Sequence, residues 1–318
     1  MKVFRDLQDP DIQPQCILTF GVFDGLHLGH QSIVNKVVQR GRDERRPSTV
    51  VTFDPHPRAV LHPEGAPQFL QTFEQRARGL QALGINQIVV LEFTTALSEL
   101  SAERFLLDII FGKLDAREVY VGRGSTFGHG RQGHFDLIDQ IARRLERVAA
   151  EVPEARLRGR RISSSMVRRV ISGGRMGIAR RMLGRPYEIE GRVVVGRRLG
   201  KSKLNYATAN VKPEGFVIPA TGVYVTATSV DGKWRRSVTN VGHRPTLGGD
   251  PDVTIETHIV DFDRELYGER IQVRFLQRLR GEVKFESMDA LREQIGKDYR
   301  RTLRYFDSSF VRRCLEFT

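Results

Sequence analysis

The segment at residues 21–30, GVFDGLHLGH, constrains the fold of this chain more than any other feature. It follows the apolar run CILTF and precedes a helical pattern, so it predicts a β-strand, a tight turn and the start of an α-helix. The N–H groups and the positive dipole end at such a start favour an anion. His27 and His30 are three residues apart, which predicts two imidazoles on one helical face. We therefore interpret the segment as a phosphate-binding turn.

The remaining residues of the turn are candidate nucleotide ligands. Asp24 lies close enough to the predicted phosphate to influence a Mg²⁺ ion or a ribose. A turn with two solvent-exposed histidines, or a zinc-binding pair, is the alternative interpretation. Since no cysteine or third histidine lies nearby to complete a zinc site, the sequence favours phosphate. The other predicted nucleotide- or phosphate-binding residues here are Gly21, Phe23, Gly25 and Gly29.

Length and composition describe a globular chain of about two domains. The 318 residues are 40% hydrophobic and 28% charged, as in an ordinary globular protein. We expect no membrane span, since no run of about 18 apolar residues occurs. The N-terminus has no apolar signal-peptide core, so a cytoplasmic location is expected. Cys16 and Cys314 fall at opposite ends and offer no disulfide framework.

The net charge limits the classes of partner. Lys and Arg number 51 against 38 acidic residues, which gives +13 and a pI near 10.2. Such a field attracts polyanions, including nucleic acid, nucleotides and pyrophosphate. The arginine clusters lack the interleaved aromatic residues that stack bases. We interpret the charge as the surface of an enzyme for small ligands, a monomer or weak oligomer, and do not expect a nucleic-acid partner.

The pattern of predicted secondary structure changes near residues 184–186. Strand-like and helix-like runs alternate before this point, including a helical run at residues 101–114, which predicts a parallel, doubly wound α/β sheet. Ligands bind at the carboxyl ends of strands in such sheets, where the GVFDGLHLGH turn is expected. Short β-rich runs and turn signals follow, typical of an antiparallel barrel or sandwich, with a final helix from about residue 287. We predict domains at 1–184 and 185–318.

Several motifs resemble those of bacterial bifunctional riboflavin kinase/FAD synthetases. The first half resembles the synthetase module in GVFDGLHLGH, TFDPHP and ISSSMVRRVISGG, and the second half the kinase module in ATAN, TGVY, NVGHRPT, ETHIVDF and LYG. The resemblance implies a Rossmann-like nucleotidyltransferase domain with a parallel sheet, then an antiparallel β-barrel kinase domain with a terminal helix. It also implies phosphorylation of riboflavin to FMN by ATP, and adenylylation of FMN to FAD with release of pyrophosphate.

Adenylyl transfer requires aligned phosphates and neutralised charge rather than a protein nucleophile. His27 and His30 suit the α-phosphate as catalytic residues, and Arg168 offers a forked cation. Ser163, Ser164 and Ser165 offer hydroxyls at a helix start. The resemblance places these serines and Arg168 on the β- and γ-phosphates, and a plain N-cap is the alternative for the serines. The histidine of DPHP either lines the same pocket or ends a strand.

The kinase half needs a metal, a phosphate cradle and a base. Thr208 and Asn210 offer oxygen ligands suited to Mg²⁺, and the resemblance places them on the ion and the ATP phosphates. The basic run GRRLGKSK, with Gly200 and Lys201, offers N–H groups and cations to a polyphosphate. The resemblance implies that Glu256 is the general base for the ribityl hydroxyl. A histidine two residues further on shares its face and either assists or packs.

Some positions depart from the family pattern. Residues 122–128 read GRGSTFG where the family usually carries GxDFxFG, which puts Gly124 and Ser125 in place of the acidic or amide residue and the Phe. Asn205 and Ala207 occur in LNYATAN, where LGFPTAN is usual. These changes leave open a paralogue with one active half-reaction or altered specificity. The net charge of +13 leaves open a flavin- or RNA-binding regulator.

Overall fold

The chain forms two compact units, Met1–Ser164 and Ser165–Thr318. Our computed structural model describes residues 1–65, 67–195, 208–213, 215–244 and 252–307. The division into units falls before the predicted domain boundary after Gly184, and that boundary stays a prediction. The positions singled out in the sequence that lie outside the described residues are Gly200, Lys201, Asn205, Ala207 and Cys314.

The first unit is built around a parallel sheet, as predicted. Its strands are β1 (Lys2–Phe4), β2 (Ile17–Phe20), β3 (Ser48–Asp54), β4 (Gln87–Glu92), β5 (Glu118–Gly122) and β6 (Val148–Val152). They lie in the order β1-β4-β3-β2-β5-β6, and all of these neighbours pair in parallel. The direction of winding reverses between β2 and β5, which makes the carboxyl ends of these two strands the switch point where ligands bind.

Helices cover both faces of this sheet because its strands bury apolar side chains on each side. Val50 packs with the face that carries α1, and Val51 with the opposite face. A π-helical segment, Phe105–Lys113, supplies much of the second face; the sequence predicted an ordinary helix there. A short hairpin of β7 (Arg156–Leu157) and β8 (Arg160–Arg161) follows β6. The α-helices of this unit are α1 (Leu28–Asp43), α2 (Pro57–Leu61), α3 (Phe73–Ala82), α4 (Thr95–Glu99), α5 (Ala102–Arg104) and α6 (Phe135–Arg144).

The second unit is a closed antiparallel barrel, which decides between the barrel and the sandwich that the sequence left open. Its strands are β9 (Tyr187–Val194), β10 (Ala209–Pro213), β11 (Gly222–Val230), β12 (Lys233–Arg244), β13 (Asp252–Ile259) and β14 (Arg270–Arg280). They close in the order β10-β13-β12-β11-β14-β9. Helices α7 (Ser164–Ser172) and α8 (Met176–Leu183) precede the barrel, and α9 (Met288–Asp307) follows it, so the predicted terminal helix is confirmed.

Alternation along β11 separates the inside of the barrel from the face under α9. Thr226 bonds to the hydroxyls of Ser237 and Thr239 at 2.7 Å each, within a fully buried polar cluster. Its neighbour Val225 packs instead with Phe306 of α9. This alternation is the two-residue period of a strand buried on both sides. No helix among the described residues is both long and apolar enough to cross a membrane.

Candidate functional site

The first candidate site lies at the switch point of the parallel sheet. Residues 21–27 follow β2 and residues 123–128 follow β5, so both loops leave the carboxyl edge of the sheet beside each other. The first of these is the predicted phosphate-binding turn. The amide of Gly21 donates to the carbonyl oxygen of Val51 at 3.0 Å, which continues the β2–β3 pairing into the turn.

His27 is the N-cap of α1 rather than a residue within it. Its backbone is extended, with φ −68° and ψ 168°, and its Nδ1 accepts a hydrogen bond from the amide of His30 at 3.3 Å. A neutral His27 therefore carries its proton on Nε2 and can donate it to an anion. The two imidazoles stack at 3.7 Å between centroids, with 19° between their planes. The two rings lie side by side, but His27 caps the helix and does not lie on its face as predicted.

His30 is half-buried and is held as a neutral imidazole. Burial lowers its pKa well below the usual value, and the electrostatic interactions with His27 and Arg76 add to this effect. The ring of Phe23 meets it edge-on at 5.2 Å. Its Nδ1 is buried and has no hydrogen-bond partner among the described residues. A buried nitrogen without a partner at a helix start is a group that a bound phosphate could satisfy.

The turn between β2 and α1 has an unusual backbone. Phe23 and Leu26 adopt φ of 54° and 38°, and Gly25 a φ of 83°. Left-handed non-glycine residues are costly and persist where surrounding contacts fix them, often at functional sites. A Cβ on Gly25 would lie 2.6 Å from Cδ1 of Leu70, so any residue with a side chain would clash at this position. The Cβ of any residue replacing Gly29 would lie 3.1 Å from Cε1 of His27, against the capping ring.

Asp24 anchors the turn. Only 4% of the residue is exposed. Its carboxylate accepts hydrogen bonds from the amides of Leu70 at 3.1 Å and Gln71 at 3.3 Å. These bonds tie the turn to the segment before α3. The predicted contact of Asp24 with Mg²⁺ or a ribose stays a prediction, and the structure gives its carboxylate a supporting function.

The serine motif meets the same turn through Ser164. Its hydroxyl donates to the carbonyl oxygen of Asp24 at 2.9 Å, so it is more than a local helix cap. Ser163 is half-buried just before α7, while Ser165 is exposed and Arg168 half-buried on that helix, within the second unit. The phosphate contacts of these four residues stay predictions.

The loop after β5, which departs from the family pattern in sequence, has a left-handed residue at Gly124. Gly124 has φ +71°, and the guanidinium of Arg161 lies 3.9 Å from the point where a Cβ would be. The Gly124 amide donates to the carboxylate of Glu151 at 3.2 Å. Phe127 packs edge-on against Phe20 of β2 at 5.1 Å and so joins the two loops. In DPHP, the histidine caps α2 by accepting from the amide two residues on, which explains its position without a ligand.

Arg76 is a residue of this site that sequence reasoning missed. It lies on α3 and is only 8% exposed. It donates from one Nη to the carbonyl oxygen of Val22 at 2.6 Å, and from the other to that of Phe53 at 3.4 Å. The signal was present in the sequence, since Arg76 lies between Phe73 and Leu80 on the apolar stripe of an amphipathic helix. An arginine on such a stripe must find partners inside the protein.

The second candidate site is a row of polar side chains across three barrel strands. Asn210 of β10 pairs directly with Glu256 of β13, which in turn pairs with Asn240 of β12. Directly opposed residues share a face, so the three side chains form a row with the carboxylate at its centre. They are half-buried, while the neighbouring Ile255 and Thr257 are fully buried inside the barrel. Asn240 opens the motif NVGHRPT but had no predicted function of its own.

Further groups surround this row. The carboxylate of Glu282 lies 2.7 Å from the point where a Cβ of Gly242 would be, and Gly242 follows Asn240 on the same face of β12. On the other side of Glu256, the ring of His258 lies 6.0 Å from that of Tyr299 on α9. His258 therefore packs against the terminal helix, which was one of its two predicted functions.

The row around Glu256 carries oxygen atoms of the kind that a hard cation prefers. Among the described residues, no group of three or more His, Cys, Asp and Glu is placed to hold a metal ion. Thr208 is half-buried immediately before β10, and Asn210 is the second residue of that strand. A hydroxyl, an amide and a carboxylate provide only a few oxygen ligands. Mg²⁺ bound with a nucleotide needs only a few ligands from the protein, because phosphates and water supply the others.

Comparisons with known proteins match both units. Residues 9–166 match the FAD synthetase family and residues 183–306 the riboflavin kinase family. A bifunctional riboflavin kinase/FMN adenylyltransferase of Pseudomonas fluorescens is 36% identical, over 94% of this chain and 96% of its own. One from Escherichia coli K12 is 33% identical, over 94% and 96%. A crystal structure described as a macrolide-efflux protein from Streptococcus pneumoniae is 27% identical, with a TM-score of 0.86, and 95% of this chain and 98% of that chain are covered.

Proposed function

The chain belongs to the bifunctional riboflavin kinase/FMN adenylyltransferase family, and on this premise we propose which residues perform its two half-reactions. It phosphorylates riboflavin to FMN with ATP and adenylylates FMN to FAD with release of pyrophosphate. One observation carries the assignment. The histidine pair and the row around Glu256 lie in different units, and each unit matches its own family.

In the first unit, adenylyl transfer takes place at the switch point. An FMN phosphate oxygen bonds to the α-phosphorus of ATP, and the bond from that phosphorus to the pyrophosphate oxygen breaks. We assign His27 as the Nε2–H donor to an α-phosphate oxygen, because its Nδ1 is occupied by the amide of His30. His30 supports it through the stacked ring and its unpaired Nδ1. The α1 dipole stabilises the charge that develops there.

In the second unit, phosphoryl transfer takes place beside the row around Glu256. The terminal ribityl hydroxyl of riboflavin bonds to the γ-phosphorus of ATP, ADP leaves, and the hydroxyl proton passes to the Glu256 carboxylate. Asn210 and Asn240 flank this carboxylate on the neighbouring strands, so their amides are placed to orient it or the substrate hydroxyl. A positioned base of this kind typically contributes about 10²–10⁴-fold to the rate.

We also propose that Mg²⁺ accompanies ATP in the kinase unit, where Thr208 and Asn210 would hold it. When bound, the ion neutralises phosphate charge. The cytoplasmic location, the monomeric or weakly oligomeric state and the absence of a nucleic-acid partner stay predictions. Sedimentation of the purified chain with and without RNA tests the last two.

The test separates the half-reactions. Riboflavin or FMN is incubated with ATP and Mg²⁺, and riboflavin, FMN and FAD are resolved by chromatography. We expect Glu256→Gln to abolish FMN formation from riboflavin but to leave FAD formation from FMN unchanged, and His27→Ala to do the converse. Exposed residues of the same units supply the controls, Glu265→Gln and His62→Ala. Equal loss of both activities in either active-site variant would contradict the assignment, and a wild-type chain that forms neither FMN nor FAD would contradict the function.

A further inference from the structure

Arg76 lies beneath the phosphate-binding turn, where α3 packs against it. A Cβ on Gly79 of this helix would lie 2.7 Å from Cδ2 of Leu26, so the helix approaches the turn as closely as a glycine allows. The capping box of Thr72 and Gln75 fixes the start of α3, one turn before Arg76. These contacts fix the position of the Arg76 guanidinium beneath the turn.

The contacts of Arg76 join two strand ends. Its guanidinium bonds to the carbonyl oxygen of Val22, in the turn after β2, and to that of Phe53, near the end of β3. The Thr52 hydroxyl also donates to the Val22 oxygen, at 3.4 Å. Val22 immediately precedes Phe23, whose backbone is left-handed. Arg76 therefore holds the peptide at which the costly part of the turn begins.

Arg76 keeps its positive charge although its side chain is buried. Burial lowers its pKa, and the carboxylates of Asp24 and Asp54 act against this. The pKa of an arginine side chain lies far above neutral pH, so the group stays protonated there. The ring centroid of Phe73 lies 5.4 Å from the guanidinium carbon of Arg76 and 4.7 Å from that of Arg5. Arg5 in turn bonds to Asp54 at 3.0 Å, so the network is closed by opposite charges.

We propose that Arg76 is a positioning residue for FMN adenylylation: it fixes the turn at Val22 and thereby sets the places of His27 and His30 against the α-phosphate. Its positive charge also favours the neutral form of His30. The inference rests on the proposed function of the first unit. Arg76 touches the backbone of the turn, and its effect on the reaction passes through the two histidines.

The test compares Arg76→Met and Arg76→Lys with the exposed Arg78→Met on the same helix. FMN adenylylation and riboflavin phosphorylation are measured on the same preparations of the full chain. We expect Arg76→Met to lower the adenylylation kcat by about 10²-fold, the loss typical of a misplacement near 1 Å. The KM for FMN should change by less than about twofold, because the flavin contacts are not removed. Lysine cannot fork between two carbonyl groups, so Arg76→Lys should lose about tenfold.

A second readout follows His30 itself. In NMR titrations of the histidine side chains, the His30 pKa should rise in Arg76→Met, because a positive neighbour is lost, and should stay at its wild-type value in Arg76→Lys. Burial should keep it below the usual histidine value in both variants. A role in folding alone would not produce this contrast.

Several results would overturn the proposal. These are a wild-type adenylylation kcat in Arg76→Lys or Arg76→Met, an unchanged His30 pKa in a folded Arg76→Met, and an equal loss in Arg78→Met. If Arg76→Met does not fold, as judged by circular dichroism, Arg76→Lys decides alone. A wild-type chain that forms no FAD from FMN would instead refute the function of the unit.

Discussion

Replacing Gly25 by alanine tests whether the phosphate-binding turn is fixed by its packing. Two costs add at this position. A φ of +83° is left-handed, which costs a residue with a Cβ about 1–2 kcal/mol. The new Cβ would also lie 2.6 Å from Cδ1 and 3.1 Å from Cβ of Leu70, which is 1% exposed and has no room to withdraw. Overpacking of this kind costs about 1–3 kcal/mol, so the expected total is about 2–5 kcal/mol.

Gly159 provides a matched control in the same unit. Its φ is +76° and its Cβ would meet nothing within 4 Å, so Gly159→Ala carries the backbone cost alone. Urea unfolding is followed by helical ellipticity, to which the first unit contributes strongly. The fluorescence of Trp234, the single tryptophan, reports the barrel and should not change. Equal free energies of unfolding for the two variants would refute the argument from Leu70.

Three further results are expected. Burial opposes ionisation of Glu118, but hydrogen bonds from Arg40 and Tyr120 give a net lowering of its pKa. The ionised carboxylate should therefore stabilise the fold above pH ~4.3, and this stabilisation should be lost as pH falls through the lower pKa of the folded state. Urea unfolding of the wild type and of Glu118→Gln at several pH values measures it as the difference between their free energies of unfolding. Asp298→Asn leaves Arg280 without its buried counter-charge and should cost about 3–5 kcal/mol, seen in Trp fluorescence unfolding. Burial raises the pKa of the Cys16 thiol to about 11, so peptide mapping should find it unalkylated after iodoacetamide treatment at pH 8.

Local patterns predicted the fold well because each element carries its own signal. A buried run, a turn and a helical period lie together in residues 16–43, and β2, the turn and α1 occupy them in that order. The same reasoning predicted an ordinary helix at Phe105–Lys113, where the backbone is π-helical. Apolar residues in that segment lie on all sides of the helix. The spacing of apolar residues, which could distinguish a π-helix from an α-helix, therefore carries no information there.

From local patterns alone, the candidate sites were predicted where their residues are close in sequence; Asn210 and Glu256 were brought together by the family resemblance. His27 and His30 were paired correctly, because three residues separate them. Their geometry was not foreseen, since a histidine N-cap depends on backbone angles rather than on composition. Asp24 was expected to face a ligand, yet its carboxylate bonds to amides about 46 positions away, at Leu70 and beyond.

Register explains why Asn240 and Arg76 were missed while Glu256 was found. Glu256 is marked by its motif, but Asn240 becomes its neighbour only through the pairing of β12 with β13, which no local pattern specifies. Arg76 likewise reaches Val22 only because the strand order puts α3 under the turn after β2. Motifs therefore mark candidate residues that are close in sequence, whereas their spatial neighbours Asn240 and Arg76 are set by strand pairing and topology. Since a misplacement of about 1 Å can cost 10²-fold in rate, substitutions at such positions should change activity without altering any motif.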